Sequence, residues 1–265
     1  MKLNKIYNEN CLDTMSRMPD NFIDLTVTSP PYDNLRNYNG YSFDFESVAK
    51  ELFRVTKEGG VVAWVVGDAT ISGSETGTSF KQALFFMSCG FRLHDTMIYR
   101  KQNYIPLTHN RYEQSFEFMF ILSKGKPSTF NPIMEKTLGG GNDYNLSRKG
   151  YCNSIIGGAQ RRRDENVITS DLKIKPNIFT YTCGSEKVNH PAPFPEKLAA
   201  DHIYSWSNEN DIVYDPFSGS GTTAKMAHLQ NRKFIGSEIS KEYCDISNKR
   251  LIPYLTQTSI FQTNE

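Results

Sequence analysis

The sequence predicts an α/β fold around a seven-stranded, mostly parallel β-sheet. Three observations lead to this prediction. Short apolar runs alternate with amphipathic helical patterns along most of the chain, which is the arrangement of successive βαβ units. Two predicted strands follow one another without a helix between them, so we expect an antiparallel pair at one edge. A glycine-rich turn joins the sixth predicted strand directly to a helix, as at many ligand sites of parallel sheets.

Each element follows from its local pattern and its flanking residues. Strands are expected near residues 4–8, 24–29, 61–66, 92–99, 116–122, 211–215 and 233–238. Helices are expected near residues 11–18, 43–56, 79–88, 196–206, 222–231 and 241–252. The sequence KEGG at 57–60 ends the second helix, and Gly90 suits the C′ position of the third. The antiparallel edge pair is expected between the strands at 92–99 and 116–122.

Composition limits the classes of protein to consider. A chain of 265 residues with 38% hydrophobic residues can form one substantial core and one insertion. A formal charge of +1 gives no overall field that would indicate a nucleic-acid partner. The five cysteines form no C-x-x-C pair, so we expect neither a disulfide framework nor a metal site. The first residues contain no apolar segment, and we expect a soluble cytoplasmic protein without a membrane partner.

The stretch VTSPPY ends the second predicted strand, where open α/β sheets place their ligand sites. Pro30 and Pro31 lack N–H groups and have a fixed φ, so the neighbouring carbonyl groups are held rigidly. The Ser29 hydroxyl and the Pro30 carbonyl, with the Tyr32 ring beside them, then form an acceptor-rich site. Such a site suits a planar group that bears an –NH₂. A simple turn is the alternative, because Pro-Pro pairs usually mark turns.

A second motif, DIVYDPFSGSGTTAKMAHL, joins a strand, a glycine-rich turn and a helix. Gly219, Gly221 and Ala224 match G-x-G-x-x-A, and Glu238 ends the next strand, where it could bind ribose hydroxyls. A nicotinamide dinucleotide is disfavoured because Asp215 would repel its pyrophosphate and because only 27 residues follow Glu238. S-adenosylmethionine carries a ribose, an adenine and a zwitterionic amino-acid tail, and therefore fits both acids.

The order of the two motifs resembles a known family. TSPPY at 28–32 followed by DPFSGSGTT at 215–223 is similar to the β-class amino-methylating DNA methyltransferases. HPAPFPEKL at 190–198 resembles the segment that folds over the cofactor in that family. The resemblance covers nearly the whole chain. It implies a Rossmann-like, S-adenosylmethionine-dependent methyltransferase fold with a circularly permuted motif order.

The resemblance also implies a division of the chain. Residues 1–124 and 190–265 would form the catalytic domain, and residues 125–189 an inserted target-recognition region. In this insertion the periodicity fades and Gly, Asn, Ser and Arg accumulate. Its basic residues could contact DNA phosphates, and they are Arg148, Lys149, Arg161, Arg162 and Arg163. Taken alone, the arginine run favours a solvated loop neutralised by the neighbouring acids.

Specific roles follow from the resemblance. Ser29, Pro30, Pro31 and Tyr32 would hold a flipped base, and Asp68, after the strand VVAWVV, would accept a proton. A loop-capping role for Asp68 is the alternative. The residues expected around the cofactor are Asn10, Asp215, Phe217, Gly219, Ser220, Gly221, Thr222, Thr223, Glu238, His190 and Phe194.

The implied activity is site-specific methyl transfer from S-adenosylmethionine to the exocyclic amine of a flipped base in double-stranded DNA. Ser29 at the first position of the tetrapeptide favours cytosine N4 over adenine N6. A methyltransferase for a free base, RNA or a protein amide, and a DNA-binding protein without chemistry, are alternatives. None of the cysteines follows a proline, which disfavours cytosine C5 chemistry. A cognate restriction endonuclease and a homodimer are left open.

Overall fold

The computed structural model describes residues 1–31, 43–104, 111–137, 171–182 and 195–261. It contains two compact units. The first comprises Met1–Asn131 with Asn177–Glu265, and the second is Pro132–Pro176. The strands are β1 (Lys5–Tyr7), β2 (Ile23–Thr28), β3 (Thr56–Val66), β4 (Thr70–Ile71), β5 (Ser74–Glu75), β6 (Arg92–Lys101), β7 (Phe116–Ser123), β8 (Met134–Lys136), β9 (Leu172–Ile174), β10 (Ile178–Tyr181), β11 (Ile212–Asp215) and β12 (Lys233–Ser237). The helices are α1 (Cys11–Ser16), α2 (Phe45–Val55), α3 (Thr78–Ser88), α4 (Glu196–Trp206), α5 (Thr222–Leu229) and α6 (Lys241–Phe261).

The first unit is built on one sheet with the strand order β1-β12-β11-β2-β3-β7-β6-β10. β7 is antiparallel to both of its neighbours, β3 and β6. All the other neighbouring strands pair in parallel. This confirms the predicted α/β fold with a mostly parallel sheet.

The edge of the sheet differs from the prediction. The described sheet has eight strands instead of the expected seven, and the additional one is β10. Because β10 pairs in parallel with β6, the antiparallel pair of β6 and β7 lies next to the edge. The four residues of β10 alternate between exposed and buried, but so short a run is hard to recognise in a segment whose composition is typical of a loop.

Helices cover both faces of the sheet. α1, α2 and α3 pack together, as do α4, α5 and α6. Trp64 on β3 belongs to the core that also contains Leu52 of α2 and Phe86 of α3. The neighbouring β3 residues Ala63 and Val65, which point to the opposite face, are buried as well. A parallel sheet buried on both faces explains why its strands read as continuous apolar runs.

The amphipathic pattern of α2 explains how this helix packs on the sheet face that contains Trp64. The Asp44 carboxylate accepts a hydrogen bond from the Ser47 N–H at 3.1 Å and so caps the first turn. The residues buried by the helix follow a helical period, and they are Val48, Ala49, Leu52 and Val55.

The parallel strands bring four predicted site segments to one edge. Asp215 is the last residue of β11. Three further residues come shortly after the carboxyl ends of other parallel strands: Ser29 after β2, Asp68 after β3 and Glu238 after β12. Ligands of open α/β sheets bind at this edge. The fold therefore brings the two sequence motifs together, although most of the chain separates them.

The second unit contains β8 and β9, which pair antiparallel with Met134 opposite Ile174. Both of these side chains are exposed. Most of the predicted target-recognition insertion, 125–189, lies outside the described residues, so that assignment stays a prediction. Among the residues that the structure describes, no helix is long and apolar enough to cross a bilayer.

Candidate active site

Asp215, the last residue of β11, lies at the centre of the site and is only 6% exposed. Its Oδ1 accepts hydrogen bonds from the Thr28 hydroxyl at 2.7 Å and from the Phe217 N–H at 3.0 Å. Burial raises the pKa of Asp215 to about 6, although the hydrogen bonds from Thr28, Phe217 and Thr223 oppose this change. The carboxylate is thus held in place, but its charge is only partly compensated.

Glu238, directly after β12, is a second buried carboxylate, 8% exposed. Its Oε2 accepts a hydrogen bond from the Gly219 N–H at 2.7 Å, and its Oε1 accepts one from the Ser240 N–H at 2.8 Å. Burial raises the pKa of Glu238, and these two bonds work in the opposite direction. Each carboxylate oxygen can accept a further hydrogen bond, so Glu238 can still bind the vicinal hydroxyls of a ribose.

The glycines of the loop are required by backbone conformation and by space. Gly219 and Gly221 have φ values of +49° and +78°, where side chains other than glycine are strained. A Cβ on Gly221 would lie 2.9 Å from the Ser247 Cβ. A Cβ on Gly236 of β12 would lie 2.7 Å from the Ser218 hydroxyl. The loop therefore packs closely on β12 and α6.

The hydroxyl groups of the loop make contacts inside the protein. Arg250 of α6 donates from Nη1 to the Ser220 carbonyl at 3.1 Å, to the Ser220 hydroxyl at 3.3 Å and to the Thr222 hydroxyl at 3.0 Å. The Thr223 hydroxyl donates to the Val27 carbonyl at 3.2 Å. Ser220, Thr222 and Thr223 are buried, so they shape the loop, whereas Phe217 and Gly219 are only partly buried. Whether any of them touches the cofactor stays a prediction.

Arg250 also joins the loop to α4. Its Nη2 donates to Glu196 Oε1 at 2.5 Å, and Lys225 of α5 donates to the same oxygen. Glu196 is the first residue of α4 and belongs to the HPAPFPEKL segment. Sequence reasoning missed Arg250, because nothing near it in the sequence indicates a contact with a loop about thirty residues away.

The SPPY stretch begins where β2 ends at Thr28. Pro30 is buried, whereas Ser29 and Pro31 are partly exposed. Tyr32 lies outside the described residues. The chain is described again from Phe43, whose ring lies 5.2 Å from the Phe217 ring of the glycine-rich loop (216–221, the proposed cofactor loop). The two described ends of the intervening segment therefore adjoin β2 and the cofactor loop.

Asp68 lies two residues beyond β3 and is buried, 9% exposed. Its Oδ1 accepts a hydrogen bond from the Ser79 N–H at 2.8 Å, and its Oδ2 accepts one from the Ser79 hydroxyl at 2.5 Å. Asp68 therefore caps the first turn of α3. The loop-capping alternative and the role in proton removal both stay predictions.

Asn10 is the N-cap residue of α1, where its Oδ1 accepts a hydrogen bond from the Leu12 N–H at 2.9 Å. Its predicted position near the adenine is not tested. Nearby, Asn8 donates from Nδ2 to the Glu238 carbonyl at 2.9 Å, and so connects the end of β1 to the second carboxylate.

Several predicted site residues lie outside the described part of the chain. They are Tyr32, His190, Phe194, Arg148, Lys149, Arg161, Arg162 and Arg163. Within the described ranges, no group of three or more His, Cys, Asp or Glu side chains could hold a metal ion.

A comparison of the sequence with models of known protein families agrees with the geometry and the motif order. A sequence model described as DNA methylase, of the N6/N4 type, matches residues 23–249, from the first residue of β2 into α6. This protein belongs to the β-class amino DNA methyltransferases. Its substrate is DNA, and it uses S-adenosylmethionine as the methyl donor.

Individual relatives of this methyltransferase support the assignment. It is 57% identical over 242 residues to the orphan methyltransferase M.BamHII of Bacillus amyloliquefaciens, an alignment that covers 88% of this chain and 90% of the relative. It is 28% identical over 256 residues to the type II methyltransferase M.BglII of Bacillus subtilis, covering 92% of this chain and 68% of the relative.

Solved structures support the fold of the methyltransferase. The PvuII DNA methyltransferase (cytosine-N4-specific) matches with a TM-score of 0.68 at 19% identity, over 92% of this chain and 84% of that one. The M1.HpyAVI–SAM complex matches with a TM-score of 0.63 at 24% identity, over 93% of this chain and 98% of that one. At these identities the likeness establishes the Rossmann-like methyltransferase fold.

Proposed function

We propose that this enzyme is a site-specific DNA methyltransferase that transfers a methyl group to N4 of a cytosine flipped out of the duplex. One observation carries the proposal. Thr28, the residue before Ser29, donates a hydrogen bond to Asp215 at the start of the cofactor loop. The strand that leads into the proposed base site is therefore joined directly to the carboxylate proposed for the methyl donor.

The proposed chemistry uses preorganised acceptors. The Ser29 hydroxyl and the Pro30 carbonyl accept the two amino protons of the base and direct the nitrogen lone pair towards the methyl group. Positive charge develops on this nitrogen during transfer, and fixed acceptors stabilise it without having to reorganise. No covalent intermediate with the enzyme is required. Asp68, whose two oxygens accept hydrogen bonds from Ser79 and can each accept another, or solvent then takes the proton.

A base must leave the duplex before its amine can reach the donor, and this extrusion costs a few kcal/mol. We propose that the Tyr32 ring stacks on the flipped base. Stacking of a base on an aromatic side chain contributes about 1–3 kcal/mol, so it offsets much of the cost.

The choice of cytosine rests on Ser29. The cytosine ring is small, and its N3 and O2 need hydrogen-bond donors. A neutral hydroxyl can accept from the amine and donate elsewhere. A carboxylate would be a stronger acceptor for the adenine amine, but a serine could also serve adenine, so adenine N6 is the other outcome of the test.

The test is direct identification of the methylated nucleoside. Purified enzyme is incubated with S-adenosylmethionine and DNA from a methylation-free host, and the digested nucleosides are identified by mass spectrometry. We expect N4-methylcytosine, and N6-methyladenine alone would overturn the cytosine proposal.

The Ser29→Ala variant should bind the cofactor normally but lose about 10²–10³-fold in single-turnover rate. A wild-type rate in this variant would exclude a catalytic role for Ser29.

We further propose that residues 125–189 form the target-recognition region and that its basic residues contact DNA phosphates. Changing Arg161, Arg162 and Arg163 together to alanine should weaken duplex binding and reduce its dependence on salt concentration. Cofactor affinity should not change. Equal salt slopes for the variant and the parent would indicate a solvated loop.

M.BamHII is named an orphan methyltransferase, which supports a modification enzyme that acts without a cognate endonuclease.

A further inference from the structure

We propose that Thr28 is a positioning residue that acts through Asp215. By this inference, its hydroxyl fixes the position and charge of the carboxylate on the cofactor side while its backbone places Ser29 on the base side. The inference rests on the proposed cofactor role of Asp215.

The contact is short and buried. Thr28 is 1% exposed and is the last residue of β2. β2 and β11 are adjacent parallel strands whose paired residues are Leu25 with Val213 and Thr26 with Tyr214. After these paired residues, the Thr28 hydroxyl donates a hydrogen bond of 2.7 Å to the Asp215 carboxylate. It therefore connects the two strands at the point where both enter the site.

A neighbouring threonine provides a comparison within the same strand. Thr26 lies two positions earlier, on the same face of β2, and is 0% exposed. Its hydroxyl has no hydrogen-bond partner among the described residues. A buried threonine at this place in the sheet can therefore be accommodated without such a bond, and packing alone does not account for the bond made by Thr28.

The groups around Asp215 show what Thr28 contributes. Donors come from the Thr28 hydroxyl of β2 and from the Phe217 N–H. Asp215 raises the pKa of two ionisable neighbours, Glu238 beyond β12 and the buried phenol of Tyr214. Burial is what disfavours ionisation of Asp215 itself, and the neutral donors oppose this effect. Removing one of them should raise the pKa of Asp215 above its present value.

The test measures S-adenosylmethionine affinity by calorimetry as a function of pH. In the wild-type enzyme, affinity should fall as the pH decreases through about 6, where Asp215 becomes protonated. In Thr28→Val the midpoint of this fall should move upward by about one pH unit, which makes the affinity about two- to fivefold weaker between the two midpoints and about tenfold weaker below both of them. Thr28→Ser keeps the hydroxyl and should retain the wild-type midpoint. Thr26→Val is the matched control and should also retain it.

An unchanged midpoint in Thr28→Val would overturn the inference, even if the affinity were uniformly weaker. Thermal unfolding identifies variants that fold, and Thr28→Ala is a second variant without the hydroxyl. The double variant Thr28→Val/Asp215→Ala separates the two proposals, because alanine leaves no oxygen to which Thr28 could donate. Thr28→Val should have no further effect on affinity when Asp215 is already Ala, and additive losses would refute action through Asp215. Wild-type affinity in Asp215→Ala alone would instead remove the cofactor role of Asp215.

Discussion

Replacing Asp215 by asparagine is expected to stabilise the cofactor-free enzyme at neutral pH. Asp215 is buried and its pKa is raised to about 6, from an ordinary value of 3.8. The folded protein therefore holds a proton on this group more tightly than the unfolded chain does. Asparagine keeps an oxygen for the Thr28 hydroxyl and the Phe217 N–H, and it carries no charge.

The sign and size of the effect follow from proton linkage. Below pH 3.8 Asp215 is protonated in both states and contributes nothing. Between this value and about 6 the unfolded chain loses the proton first, so the free energy of unfolding falls as the pH rises. Above about 6 the loss is complete and amounts to about 3 kcal/mol, at about 1.4 kcal/mol for each pKa unit.

The assay is urea denaturation of the wild type and Asp215→Asn without cofactor, between about pH 4 and about pH 8. The difference between their free energies of unfolding should grow across this range in favour of the variant. We expect a gain of about 1–3 kcal/mol, because the asparagine N–H groups need acceptors that Asp215 did not require. A difference that does not depend on pH would refute the reasoning. Cofactor affinity should fall in the same variant, so stability and function should change in opposite directions.

Two further predictions concern the cofactor loop. Arg250→Ala should weaken S-adenosylmethionine binding by about 1.5–3 kcal/mol, since it removes the charged donor to Ser220 and Thr222. Calorimetry should find an intermediate affinity for Arg250→Lys. Equal affinity in both variants would exclude a role for the guanidinium geometry. Gly221→Ala should destabilise the enzyme by about 1–3 kcal/mol, because the φ of Gly221 is +78° and the new Cβ would lie 2.9 Å from the Ser247 Cβ. An unchanged midpoint of urea unfolding would contradict this prediction.

Much of the fold was predictable because its elements are defined locally. The α2 helix has a capping aspartate at Asp44 and a helical apolar period, and both features are visible in the sequence. The last helix was expected to end at 252, before Pro253, whereas α6 continues to Phe261. A proline inside a helix removes one backbone hydrogen bond, and α6 retains its helical structure across it.

The glycine-rich loop was predictable because a motif defines it locally. Its roles toward the cofactor stay predictions, but the turn at Gly219 and Gly221 and the places of Asp215 and Glu238 at neighbouring strand ends could be identified from the sequence. The Thr28–Asp215 contact could not, because it joins residues 187 positions apart and a threonine in a β-branched run reads as part of a strand. Such contacts become visible only when the strand order is known.

The direction of the loop N–H groups is a reason why this glycine-rich turn suits S-adenosylmethionine better than a dinucleotide. In dinucleotide sites, backbone N–H groups at the helix start point at the pyrophosphate. Here the N–H groups of Phe217 and Gly219 donate to Asp215 and Glu238 instead. The protein's own carboxylates thus accept hydrogen bonds that these two N–H groups could otherwise donate to an anionic ligand, and burial raises the pKa of both carboxylates. A site arranged in this way favours a ligand that brings hydroxyl and ammonium groups without phosphate, as S-adenosylmethionine does.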